Sequence, residues 1–205
     1  MAAPSFPCDA ILLAAGSGRR LGLPKAFLEL KGTWMLPRLV NALLAGGCRS
    51  VKVVVREQDV AQLERRMSWD QATLVVNPTP DAGRTGSVLY GLKSLTTSDA
   101  IMIHSCDIPL LSADAVQQLL HGWRKCESPD TVLARLTTPG GKGGHPLLLG
   151  ADHVAKLSTF NADQPLRNLL RDAPDAVLNL VRRGDPGPFL DVDTREQLEL
   201  LESLL

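Results

Sequence analysis

Four things are missing from this sequence, and each removes a class of protein. Net charge is absent: lysine plus arginine and aspartate plus glutamate number 22 each, so no overall field draws the chain to nucleic acid or to a membrane surface. Any anion site must therefore be local. No apolar stretch approaches the roughly 20 residues needed to span a bilayer. The cysteines, Cys8, Cys48, Cys106 and Cys126, lie far apart with no C-x-x-C pair, which argues against a zinc cluster. Nothing at the start reads as a signal peptide, because Pro4 and Pro7 interrupt it and Asp9 precedes the first apolar run. These absences predict a soluble, cytoplasmic protein with reduced thiols. Its 205 residues fit one α/β domain, 1–205, long enough to bury a sizeable core.

What is present centres on Ile11–Lys25. The apolar run Ala10–Ala15 is short and ends in glycines, so it reads as a buried strand entering a loop. Gly16, Ser17 and Gly18 supply a backbone that tolerates positive φ and lets a ligand approach closely. Successive N–H groups in such a loop form a concavity for phosphate oxygens, and Arg19, Arg20 and Lys25 follow with fixed positive charge. The loop is no P-loop, since no Gly-Lys-Ser/Thr closes it, and no dinucleotide fingerprint, since three residues separate Gly18 from Gly22. A plain glycine-rich connection with solvated basic residues is the bland alternative. The three cations favour a polyphosphate guest.

Along the chain, apolar segments alternate between strand and helix character. Trp34–Ala45 has helical spacing and stops at Gly46-Gly47, with Pro37 tolerated in the first turn. Val51–Val55, Thr73–Val76, Ala100–Ser105, Thr131–Leu136, Leu147–Leu149 and Val177–Val181 read as strands. Asp59–Met67, Ala113–Leu120, Ala151–Leu157, Pro165–Arg171 and Arg195–Leu205 read as helices. The alternation predicts an α/β fold with one doubly wound, mostly parallel sheet, helices on both faces, and ligands at the carboxyl ends of the strands.

Four further stretches carry candidate chemistry. Asn77–Gly86 is proline- and glycine-rich and reads as a loop, with Ser87 opening a helix whose inner face is Val88, Leu92 and Leu95. Asp107 ends a buried strand ahead of an Ile-Pro turn. Ser112 is a better cap for the next helix, which leaves Asp107 free to hold a cation such as Mg²⁺. Thr137–Pro146 is so glycine-rich that it reads as mobile unless a ligand orders it, with Lys142 and His145 its only ionisable side chains. Asp191 and Asp193, two residues apart, share one face of an extended segment, and Thr194 with Gln197 forms a capping box for the last helix. Each has a bland reading as a cap or a turn.

Together these motifs resemble the molybdenum-cofactor nucleotidyltransferase family (MobA/MocA-like NTP transferases). Leu13–Lys25 matches the signature L-A-A-G-x-G-x-R-x-G-x-x-K with its arginine on Arg20, its last glycine on Gly22 and its lysine on Lys25. Cys106-Asp107-Ile108-Pro109-Leu110-Leu111 is similar to C-D-x-P-L-L, Gly144-His145-Pro146 to G-H-P, and Asp191–Thr194 to the closing D-x-D-T. The resemblance implies Mg²⁺-dependent transfer of a nucleotidyl group from an NTP to a phosphorylated acceptor, with release of pyrophosphate. It implies nucleotide binding by Leu13, Ala14, Ala15, Gly16, Ser17, Gly18, Lys25, Asn77, Gly83 and Ser87, and charge stabilisation by Arg20 and Lys25. It also implies that Asp107 is catalytic and a metal ligand, that Asp193 or else Asp191 is the second ligand, and that His145 contacts the acceptor, with molybdopterin as that acceptor and CTP or GTP as donor. Phe160–Arg167 departs from the family's G-D-x-G-x-R, with Ala162 and Pro165 in place of glycines, so contacts by Asp163 and Arg167 are in doubt. Arg84-x-x-Ser87-Val88-x-x-Gly91-Leu92 also resembles the cytidylyltransferases of isoprenoid synthesis. Transfer to a sugar phosphate or methylerythritol phosphate is thus an alternative, as is a nucleotide-binding domain without turnover.

Overall fold

The computed structural model describes residues 7–70, 72–96 and 99–205; Pro4, part of the argument against a signal peptide, lies outside them. Seven strands build the main sheet: β1 (Cys8–Leu13), β4 (Val51–Arg56), β5 (Ala72–Asn77), β6 (Ala100–Ser105), β7 (Leu133–Thr137), β8 (Gly143–Leu149) and β9 (Val177–Val181). Strands β2 (Glu29–Leu30) and β3 (Thr33–Trp34) form a separate small ribbon. The helices are α1 (Met35–Ala45), α2 (Val60–Arg66), α3 (Arg84–Lys93), α4 (Ala113–Arg124), α5 (Ala151–Ser158), α6 (Arg167–Arg171) and α7 (Arg195–Leu204).

The sheet order is β5-β4-β1-β6-β8-β7-β9, and every neighbour pair is parallel except the two that β8 makes with β6 and β7. The fold is the doubly wound, mostly parallel α/β sheet that the strand–helix alternation predicts. Alternation within β1 explains the two layers. Ala10 and Leu12 face a core shared with Leu36, Leu39 and Leu43 of α1 and Val116, Leu119 and Trp123 of α4. Ile11 and Leu13 face the opposite core with Val88 of α3, Val154 and Leu157 of α5 and Leu169 of α6. Among the described residues no helix is long and apolar enough to cross a membrane.

A third, smaller core does the positioning. Leu21, Leu28, Leu30 and Met35 from the glycine-loop region pack with Val192 and Leu201 from the C-terminal segment. The Val192 N–H donates to the Asp107 carbonyl at 2.7 Å, drawing the last segment alongside the end of β6. Three distant stretches of chain meet there.

Two expectations fail locally. Helix α3 begins at Arg84, three residues before Ser87, because Gly83 (φ +113°) ends the preceding 3-10 turn Pro80–Ala82 and starts the helix. Thr137–Pro146 is an ordered hairpin, with Thr138 N–H bonded to the Lys142 carbonyl at 2.9 Å, and β8 starts at Gly143. The sequence masks this strand because its first residues are glycines, which carry no apolar pattern. Gly144 is needed for packing: a Cβ there would lie 2.4 Å from the Phe189 ring and 2.7 Å from the Pro188 carbonyl.

Candidate active site

The strand order reverses at β1, with β4 and β6 on its two sides, so a crevice opens beyond the carboxyl ends of β1 and β6. The loop after β1 is held by its own hydrogen bonds: Leu21 and Gly22 N–H both reach the Gly18 carbonyl at 2.9 Å, and Lys25 N–H reaches the Gly16 carbonyl at 3.1 Å. Gly18 takes φ +59°, and a Cβ there would sit 1.8 Å from the Leu23 carbonyl oxygen, so only glycine closes this turn.

That turn aims Lys25 at two carboxylates. Its Nζ donates to Asp107 Oδ2 at 2.6 Å and also to Asp193 Oδ1. Arg20 reaches the other Asp193 oxygen at 3.1 Å. Asp107 is buried, and burial pulls its pKa upward; the Lys25 ammonium and the Ser105 hydroxyl outweigh this and hold the carboxyl below the usual range. For Lys25, burial pulls downward, but hydrogen bonds to Asp107 and Asp193 raise it above the usual lysine value. Asp107 and Lys25 are therefore both charged at neutral pH. The backbone of Asp193 is itself fixed, since its N–H donates to Gln197 Oε1 at 2.8 Å beside the Thr194–Gln197 capping box. Ser112 caps α4 through Ala115 N–H at 3.2 Å, so Asp107 has no capping duty.

Three cavities converge on this cluster. One, of about 280 Å³, is lined by Leu13, Ala15, Gly16, Lys25, Pro80, Gly83, Arg84, Ser87, Ser105 and Asp107. A second, about 330 Å³, runs along Gly16–Arg20 to Lys25, Asp81 and Asp193. The third, about 200 Å³, lies between Arg84, Asp107, Lys142, His145, Phe189, Asp191 and Asp193. A wider depression, about 460 Å³, is at the other end of the sheet around Leu44, Arg49 and Trp69, away from this cluster.

The structure brings together Leu13, Ala15, Gly16, Ser17, Gly18, Arg20, Lys25, Gly83, Ser87, Asp107, His145 and Asp193 around those cavities. Ala14 and Asn77 are fully buried and line none of them. Asn77 spends its amide internally: Oδ1 accepts from Thr79 N–H at 2.8 Å and Nδ2 donates to Ser87 Oγ at 2.9 Å, which leaves the Ser87 hydroxyl hydrogen free to point into the cavity. Burial and then the Arg84 charge keep His145 below the usual histidine range, so it is neutral at pH 7. Its Nδ1, like that of the fully buried His104 5.9 Å away, is enclosed without a hydrogen-bond partner among the described residues. Asp191 lines the third cavity but touches neither Lys25 nor Arg20. Asp163 and Arg167 line a separate groove beyond Arg84. Two residues the motifs left without a role, Ser105 and Arg84, stand at the centre; their positions at the last residue of β6 and the first of α3 were the available signal.

A glycine loop lies at the switch point of a doubly wound sheet, with a lysine and two carboxylates at its mouth, an arrangement chemically suited to a phosphate chain. The chain belongs to the MobA-like NTP transferase domain family, whose model matches residues 10–177, and it is an enzyme of the nucleotidyltransferase class. It is 32% identical over 197 residues to nicotine blue oxidoreductase of Paenarthrobacter nicotinovorans, covering 94% of this chain and 96% of that one. It is 35% identical over 178 residues to 2-C-methyl-D-erythritol 4-phosphate cytidylyltransferase of Rhodococcus opacus, covering 83% and 70%. Rv0371c of Mycobacterium tuberculosis H37Rv shares the fold at TM-score 0.79 and 20% identity, covering 98% and 100%; a manganese complex of it aligns at TM-score 0.76 and 20% identity, covering 97% and 100%.

Proposed function

We propose that residues 1–205 form one catalytic domain that moves a nucleoside monophosphate from an NTP to a phosphorylated acceptor, with molybdopterin as the acceptor and CTP or GTP as the donor, in the cytoplasm. The observation that carries this reading is Lys25 held between Asp107 and Asp193 where three cavities meet. Gly16–Gly18, Arg20 and Lys25 suit the triphosphate. The cavity between Leu13, Pro80, Gly83 and Ser87 suits base and ribose. The cavity at His145 suits the acceptor.

Transfer on this reading is an in-line displacement. An acceptor phosphate oxygen attacks the α-phosphorus, a new P–O bond forms, and pyrophosphate departs with the electron pair of the bond that breaks. A phosphate dianion brings its own nucleophilic oxygen, so no protein base is required. Lys25 stays protonated because of its carboxylate partners and stabilises the developing charge, together with Arg20. Rigid walls hold the reacting groups in line. Asp107 and Asp193 present hard oxygen donors on one point and suit a divalent cation. No group of three or more histidine, cysteine or acidic side chains is placed to hold a metal ion among the described residues, so the remaining ligands would be phosphate oxygens and water, as Mg²⁺ prefers. When bound, Mg²⁺ would neutralise phosphate charge.

The test is pyrophosphate release with Mg²⁺, each NTP being paired with molybdopterin, methylerythritol phosphate and a panel of sugar phosphates. Turnover with molybdopterin alone supports the reading. Turnover with methylerythritol phosphate alone supports the second reading, which the 35% identity to a cytidylyltransferase of that compound favours. NTP binding without turnover on any acceptor would favour a non-catalytic nucleotide-binding domain.

A further inference from the structure

Among the described residues, Arg84 is the cation at this site with nothing to hold. Lys25 is spent on Asp107 and Asp193, Arg20 on Asp193, and Lys142 donates to the Phe189 carbonyl at 3.2 Å. Arg84 is exposed and makes no hydrogen bond or ion pair among the described residues. It also occupies the first position of α3, where the helix dipole disfavours positive charge. Helix stability alone would not put an arginine there.

Its surroundings say what it is for. Arg84 lines the cavity assigned to base and ribose, and it lines the cavity assigned to the acceptor. It does not line the groove along Gly16–Arg20 that suits the β and γ phosphates. Its charge reaches the centre of the site: it lowers the pKa of Asp107 and of His145. Three carboxylates, Asp107, Asp191 and Asp193, line the acceptor cavity and repel an anion; the other cation lining it, Lys142, already donates to the Phe189 carbonyl. His145, whose Nδ1 is enclosed without a partner among the described residues, lines the same cavity.

We propose that Arg84 binds the attacking phosphate of the acceptor and guides it past Asp191 to the α-phosphorus. This rests on the transfer reading above and adds a catalytic residue to it. A guanidinium presents paired donors that match two phosphate oxygens, so the contact both neutralises and orients the nucleophile.

Two measurements test this. In the transfer assay, with whichever of molybdopterin or methylerythritol phosphate turns over, Arg84→Ala raises the acceptor KM about 10-fold or more and moves the NTP KM by less than about 2-fold; Arg84→Lys recovers part of the loss. A rise confined to the NTP KM, or an unchanged acceptor KM, would overturn the assignment. The second measurement needs no turnover: calorimetric titration of inorganic phosphate into protein already loaded with Mg²⁺ and a non-hydrolysable NTP. Wild type binds phosphate, and Arg84→Ala binds it at least about 10-fold more weakly. Equal binding by both proteins, or by neither, would contradict the role of Arg84 even if the transfer assay is silent. Arg84 is exposed, so the variant folds, and its unchanged melting temperature serves as the control.

Discussion

The two ends of the sheet carry buried carboxylates of the same kind put to different use. At the amino end, Asp9 is the second residue of β1 and is held by Arg49 through Nε at 3.1 Å and through Nη2, and by the Ser50 hydroxyl at 2.7 Å. Burial pulls its pKa upward, and these donors outweigh it and hold it below the usual range. At the carboxyl end, Asp107 is equally buried and also depressed. Its main partner, however, is a lysine that it must share with Asp193, and it lines two cavities. Asp9 is saturated, whereas Asp107 is kept charged and accessible. A saturated buried pair serves the fold; a shared, accessible one serves chemistry.

The largest expected effect breaks the carboxyl end. Lys25→Ala strips Asp107 of its cation and leaves Asp193 with Arg20 alone, and pyrophosphate release falls by about 10²–10³-fold, read as kcat at saturating NTP. Wild-type kcat in this variant would remove the lysine from the mechanism. Gly18→Ala comes next, because its Cβ collides with the Leu23 carbonyl and its φ is left-handed. It costs about 1–3 kcal/mol of stability and weakens NTP binding by distorting the loop, as chemical denaturation and calorimetry will report.

The amino end gives the opposite pattern. Asp9→Asn costs about 1–2 kcal/mol in the melting transition at pH 7, with kcat per folded molecule unchanged. The sign with pH follows from the depressed pKa of Asp9. Its contribution is present above the unfolded value, near pH 4, and is lost as pH falls through the folded one. Wild type and Asp9→Asn therefore converge in stability in acid, and curves that stay parallel would contradict the assignment. The smallest effect is at the support of Lys25: Trp34 Nε1 donates to the Ala26 carbonyl at 2.8 Å, and its ring lies 4.4 Å beneath the Arg66 guanidinium. Trp34→Phe removes the hydrogen bond and keeps a ring, and kcat falls by a few-fold with the NTP KM held.

Legibility in the sequence tracks how local each feature is. The strands and helices of the sheet were readable because Ala10–Leu13 or Met35–Ala45 carry their own apolar period. So were the caps at Ser112 and Thr194, which are written within four residues. The start of β8 was hidden, since Gly143 and Gly144 have no side-chain pattern and their strand character comes from pairing with β7. Asn77 reads as a nucleotide contact by motif, yet its bonds to Thr79 and Ser87 emerge only once β5 and α3 are side by side. Arg84 belongs to a segment that resembles the isoprenoid cytidylyltransferases, yet no role follows from that, because an arginine is recognised as unpaired only when every neighbour is known. The small core of Leu21, Leu28, Val192 and Leu201, which draws Asp193 to Lys25, joins residues too far apart in sequence for any pattern to reveal.

The most direct test sets the two carboxylates against each other: pyrophosphate release by Asp107→Asn and Asp9→Asn, assayed in parallel with Mg²⁺, the productive NTP and its acceptor. Asp107→Asn is expected to lose at least about 100-fold in kcat, while Asp9→Asn keeps the wild-type rate at a temperature where it is folded. Wild-type turnover by Asp107→Asn would contradict the account, because the carboxylate that lines two of the three cavities and holds Lys25 would then have no part in the reaction.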